Sequence, residues 1–125
     1  MSTNNLTISY EDLIGCPYKD HGRSKTEGYD CYGLVIEITK RMGCPLRDVW
    51  YEDHNLELAD KNAPTLNVVK TDRINPGTIL EMQFNNELHI GIAVNSRQFI
   101  HTTKRGVRVS PIGSIKIIGL YNVCN

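Results

Sequence analysis

Between Cys31 and Met42 the apolar positions Leu34, Val35, Ile38 and Met42 recur at spacings of one, three and four, the stripe that a helix buries on one face. Asp30 precedes that stripe as an N-cap, and Gly43 with Pro45 ends it. Upstream, Ser9-Tyr10-Glu11-Asp12 reads as a weak capping box opening a short helix, after which Gly15, Pro17 and Gly22 break regular structure as far as Gly28. Beyond Asn75-Pro76-Gly77 the pattern changes. Short apolar runs at 78–84, 88–94, 98–102, 106–110 and 115–121 alternate with the turn signals Asn85-Asn86, Asn95-Ser96, Lys104-Arg105-Gly106 and Pro111-Ile112-Gly113. Helices first and strands after predict an α+β fold, with N-terminal helices packed on a five- or six-stranded antiparallel sheet. Residues 46–75 are polar and mixed, and suggest only a helical turn or two around Glu52 to Lys61.

In the second run, period-two alternation puts Leu88, Ile90, Ile92 and Val94 on one face and His89, Gly91 and Ala93 on the other. The apolar set is expected to be core, and His89 then looks out over two small side chains. Register decides whether the next run can reach it. A three-residue loop Asn95-Ser96-Arg97 places Val94 opposite Gln98 and Gly91 opposite His101, which makes His89 and His101 diagonal neighbours roughly 7 Å apart. A two-residue loop would instead turn His101 to the Ile90 face. The odd-length loop is the expectation, because it keeps His89, Ala93, Phe99 and His101 together.

The 125 residues suit one domain spanning 1–125, and no repeat or linker argues for a second. Lys plus Arg equals Asp plus Glu at 14 each, so no net field favours nucleic acid or an acidic membrane surface. The opening MSTNNLTISYEDL lacks the basic start and apolar run of a secretory signal, and no stretch approaches a membrane span. The expectation is synthesis in the cytoplasm, with the final site open between a virion tail and the extracellular wall. Cys16, Cys31, Cys44 and Cys124 could form two disulfides; a reducing compartment favours free thiols, with Cys16, Cys44 and Cys124 as packing residues.

Cys31 follows the N-cap, so its sulfur is expected at the positive end of the helix, where unpaired amides lower a thiol pKa and favour the thiolate. Its own N–H could form half of an oxyanion hole. A cysteine on a helix start, a histidine on a strand and a polar group on the next strand make a papain-type arrangement of nucleophile, base and orienter. Here the orienter is His101, which as a neutral group stabilises an imidazolium less than a carboxylate does.

The segments Gly15-Cys16-Pro17-Tyr18, His21-Gly22-Arg23, Gly28 to Val35, His89 to Val94 and Phe99-Ile100-His101 together resemble the NlpC/P60 cysteine peptidases in their unpermuted order, over about Tyr10 to Val109. The resemblance implies a papain-like NlpC/P60-type fold, with Cys31 as nucleophile, His89 as general base and His101 as the third polar residue. It also implies that the Tyr18 hydroxyl binds substrate or the oxyanion, and that Asp30 helps hold the free amine of a peptidoglycan stem peptide. The implied reaction is hydrolysis of the bond between D-γ-glutamate and a diamino acid, without metal or cofactor. Tyr32 stands where many cell-wall members carry Ser. With Arg23, it is more like phage-tail-associated members, which implies phage tail proteins as partners and bears on the substrate subsite.

Two readings from other classes compete. Cys31, His89 and His101 are plausible zinc ligands with room for a water, and the fold could serve as a non-catalytic tail or assembly module. The same triad could also act as an amidase or acyltransferase on another amide. His21 and His54 read as solvated, Trp50 and Tyr51 as cleft or core aromatics, and Lys104, Arg105 and Arg108 as a solvated basic face or an attractor of carboxylates.

Overall fold

The structure is a computed structural model that describes residues 8–48 and 67–123. The expected turn at Glu52 to Lys61, and Trp50, Tyr51, His54 and Cys124, lie outside the described residues. Helix α1 (Cys31–Arg41) forms where the apolar stripe foretold it. Asp30 caps it from an extended backbone, its Oδ1 accepting the Gly33 N–H at 2.6 Å, which satisfies one of the orphan amides of the first turn. Leu34, Val35 and Ile38 are fully buried, each contributing roughly 1.5–3 kcal/mol by leaving water. At the far end the buried Thr39 hydroxyl donates to the Val35 carbonyl and accepts the Leu46 N–H, both at 2.8 Å. That pair closes the helix exit against the chain that leaves it.

The upstream helix is shorter than its capping box suggested. Only a single 3-10 turn, Glu11–Leu13, forms, with Tyr10 rather than Ser9 at its cap and no side-chain cap bond. Asp12 is engaged elsewhere: its oxygens meet Arg41 at 2.7 and 3.0 Å and Lys25 at 3.2 Å. The Arg41 guanidinium holds its carboxyl well below the usual carboxylate range. One α-helix, rather than several, thus covers the sheet among the described residues.

Strands β1 (Arg23–Ser24) and β2 (Gly28–Tyr29) make a small hairpin just before α1. The main sheet contains β3 (Val69–Lys70), β4 (Ile79–Phe84), β5 (Glu87–Ala93), β6 (Gln98–Thr103), β7 (Gly106–Pro111) and β8 (Lys116–Asn122). Their order is β3-β8-β4-β5-β6-β7, and every pair is antiparallel. Asn85 and Asn86 both take positive φ, 53° and 64°, in the two-residue turn between β4 and β5, as such hairpins require. The β5–β6 loop has the three residues expected. Asn95 Oδ1 accepts the N–H groups of Arg97 and Gln98, each at 2.8 Å, and the strands pair Ile92 with Ile100 and Ala93 with Phe99.

The sheet is apolar on both faces. Leu88, Ile90, Ile92, Val94 and Ile100 join Leu34, Val35 and Ile38 in the core beneath α1. Leu80, Met82, Ala93 and Phe99 form a second, smaller core on the opposite face, partly covered by Ile74 and Ile112 from loops. Cys44 is disulfide-bonded, which corrects the expectation of four free thiols; its sulfur lies 3.5 Å from the Val123 carbonyl oxygen, so the fold brings the helix exit to the last strand's end, a proximity that no spacing rule reveals. Cys16 and Cys31 are free and buried.

Candidate active site

The position of Cys31 follows from where the β5–β6 ladder stops. Amides alternate along a strand: Ala93 N–H bonds the Thr78 carbonyl on the β4 side, and Val94 N–H bonds Gln98 on the β6 side. Ile90 has the parity of Val94, yet the named β5–β6 pairs end at Ile92 and Ile100. Its N–H donates instead to the Cys31 sulfur. The N-terminus of α1 therefore comes against β5 at the residue that follows His89. The N–H groups of Cys31 and Tyr32 also donate to the sulfur and favour the thiolate, as the helix position implied. Burial outweighs them: Cys31 is only 6% exposed, and desolvation pushes its thiol up to about 12. The expected lowering is therefore corrected, because a helix start was legible in the sequence and the depth of its burial was not.

On the smaller-core face, His89 Nε2 lies 2.8 Å from His101 Nδ1, with the rings edge to face at 5.0 Å. This is the diagonal pair that the three-residue loop produces. Gly91 makes the approach feasible, since a Cβ there would fall 2.9 Å from both the Ile100 carbonyl oxygen and the Phe99 ring, and 3.2 Å from the His101 Cβ. His101 is 3% exposed and packs on Phe99 at a ring distance of 4.5 Å. Burial first, then the neighbouring His89 and Arg108, push its pKa down to about 3, so it is a neutral imidazole at any ordinary pH. Its second nitrogen, Nε2, lies 2.8 Å from Ser110 Oγ on β7. Ser110 was not singled out in the sequence. The signal was present in the Lys104-Arg105 turn, which pairs Thr103 with Gly106 and so brings Ser110 opposite Phe99, diagonal to His101.

Tyr18, Asp30 and Tyr32 have distinct surroundings. Tyr18 is held by the backbone around it: Lys19 N–H bonds the Tyr29 carbonyl and Tyr29 N–H bonds the Pro17 carbonyl. Gly28, at φ 115°, allows that approach, because a Cβ there would collide with the Pro17 carbonyl oxygen. Burial raises the Tyr18 hydroxyl pKa, and the negative charge of Asp20, Asp30 and Glu87 adds to it. The phenol thus stays protonated, as a donor, in the electrostatic neighbourhood of the sulfur, with the Lys104 ammonium 5.5 Å from its ring centre. Asp30, 3% exposed, spends Oδ1 on the Gly33 amide and on Arg23 at 2.9 Å. Arg23 reaches on to both oxygens of Asp48 at 3.1 Å. Tyr32 is buried, donates its hydroxyl to the Arg47 carbonyl at 2.6 Å and lies under the Arg23 guanidinium. Lys104, Arg105 and Arg108 are exposed, as is His21, 3.6 Å from Asp20. Among the described residues no group of three or more His, Cys, Asp or Glu is arranged to hold a metal ion.

A cysteine at the start of a helix packed on an antiparallel sheet, with a histidine pair on adjacent strands of that sheet, fits the papain-like α+β class. The NlpC/P60 family model matches residues 15–117. The chain belongs to the NlpC/P60 family, whose members are generally cysteine peptidases or amidases. Two solved structures share the fold. One, described as similar to lipoprotein of the NLP/P60 family, from Staphylococcus aureus subsp. aureus Mu50, is 18% identical with a TM-score of 0.64. That match covers 100% of this chain and 45% of the other, so the chain spans less than half of that protein. The other is the NlpC/p60 domain of the peptidoglycan hydrolase SagA, 19% identical with a TM-score of 0.58 and 89% of each chain covered. No curated protein matches the chain.

Proposed function

We propose that this protein is a cysteine hydrolase that cleaves an amide in bacterial cell-wall peptides, of the D-γ-glutamyl-diamino acid type. The observation that carries the reading is the His89–His101 contact at 2.8 Å, taken together with a Cys31 sulfur that accepts the amide of Ile90, the residue after His89 on β5. Family membership and the peptidoglycan hydrolase domain among the structural neighbours support the substrate class.

In this reading His89 uses Nδ1 on the nucleophile, since Nε2 is committed to His101. A thiol raised to about 12 does not ionise alone at neutral pH. Proton transfer to His89 instead yields a thiolate–imidazolium pair, whose anion is held by the amides of Ile90, Cys31 and Tyr32. The thiolate attacks the carbonyl carbon, and the Cys31 amide and the Tyr18 hydroxyl serve the resulting oxyanion. His89 then protonates the leaving amine, and a water activated by the same ring releases the acid. Asp30, already paired with Arg23, holds the helix start and is offered to a substrate amine only at the expense of that pair. Tyr32 and Arg23 favour a phage or prophage tail setting, with tail proteins as partners.

The test is mass spectrometry of muropeptides after purified peptidoglycan is incubated with the protein. We expect new fragments with a free diamino-acid amine, and Cys31→Ala to abolish them. Identical fragment patterns from wild type and Cys31→Ala would count against the proposal. One observation favours a second reading, a non-catalytic tail or assembly module: the nucleophile is 6% exposed. That reading expects stoichiometric incorporation into a particle and a harmless Cys31→Ser change.

A further inference from the structure

We propose that Ser110 is a positioning residue of this site, accepting the Nε2–H of His101 and so holding the imidazole pair in the one proton arrangement in which His89 can serve Cys31. The inference rests on the reading of Cys31 and His89 as nucleophile and base.

Two ring nitrogens 2.8 Å apart share a single proton. A neutral His101 carries one proton. If that proton sits on Nδ1, it points at His89 Nε2, the proton of His89 is displaced to its own Nδ1, and His89 cannot accept from a thiol. If it sits on Nε2, His101 Nδ1 accepts from His89 Nε2, and His89 Nδ1 is the base. Once His89 has become an imidazolium, both of its nitrogens are protonated and only the second arrangement survives. His101 Nε2 must then donate, and the atom facing it at 2.8 Å is Ser110 Oγ.

Among the described residues, the other neighbours of the His101 ring do not make this choice. Phe99 beneath the ring and Gly91 beside it set the plane of His101, yet neither can accept a hydrogen bond from it. Arg108, directly opposite His101 in the β6–β7 register, is a cation and offers no acceptor. Without the hydroxyl, the reactive state would leave a buried N–H unpaired. The sequence places Ser110 through the same register rule that brings His101 to His89, one hairpin further on.

The experiment is nitrogen-detected NMR of the histidine rings in the full chain, run on wild type, Ser110→Ala and Ser110→Thr, with hydrolysis assays alongside. Wild type should show His101 protonated on Nε2 and His89 on Nε2. Ser110→Ala should show mixed tautomers and a kcat lowered about tenfold with KM unchanged, and Ser110→Thr should restore both. A wild-type His101 protonated on Nδ1, or a Ser110→Ala protein that keeps the Nε2 tautomer, would overturn the proposal, and the first outcome can be read even if the alanine variant does not fold. Should the wild type cleave no peptide, the hydrolase reading fails, while the ring spectra still decide the role of Ser110.

Discussion

At the scale of the residue, the candidate site combines a thiol that burial keeps protonated, Cys31, with an imidazole that burial keeps neutral, His101. His101 makes a testable contribution to stability. Its pKa falls from 6.5 to about 3 on folding, so between those values the unfolded chain binds a proton that the folded one does not. Its contribution is therefore intact above pH 6.5 and is lost progressively as pH falls toward about 3. Thermal unfolding should show a Tm that drops with acid through this window, and the slope should be shallower in His101→Asn; equal slopes would show that other groups govern the acid limb. His89 and His101 were legible because a period-two pattern and a loop length suffice to place them. The raised thiol of Cys31 was not, because it depends on which atoms from distant segments exclude water. Asp30 and Tyr32 were legible as neighbours of Cys31, whereas their engagement by Arg23 and the Arg47 carbonyl joins positions 7 and 15 residues away.

At the scale of the element, the β5–β6 hairpin sets the relay. The loop Asn95-Ser96-Arg97 is odd in length, and the Asn95 carboxamide pins it. Deleting Ser96 should move His101 to the helix-side face and abolish hydrolysis, with a folded far-UV spectrum retained; activity that survives the deletion would mean that the register does not govern the site. Helix α1 and the five longer strands were readable because each carries its own periodicity. The two-residue strands β1, β2 and β3 were not, since so short a run has no period. The Ser9 capping box failed for a related reason. The local motif competed with a bidentate ion pair from Arg41, 29 residues away.

At the scale of the whole molecule, the α+β class was legible, and the order of the strands was not. Strand β8 lies between β3 and β4, a placement that only long-range pairing decides. The stretch from Ser9 to Cys16 is bound in from several sides: Gly15 and Cys16 exchange backbone bonds with Val107, and Arg41 ties Asp12 and the Ser9 carbonyl to the end of the helix. The disulfide at Cys44 adds a covalent tie. Cys44→Ser should lower unfolding stability by about 2–5 kcal/mol, measured by denaturant titration under non-reducing conditions, and an unchanged midpoint would show that the bond closes no loop worth constraining. The unfinished β5–β6 ladder also gives the sulfur a second office. It replaces a strand carbonyl as the acceptor for the Ile90 amide, so whatever is attached to the sulfur alters how firmly that amide proton is held. An ionised sulfur grips it more tightly and an acylated one releases it. Solvent exchange at this one backbone position would thus register the chemical state of Cys31 without any added label.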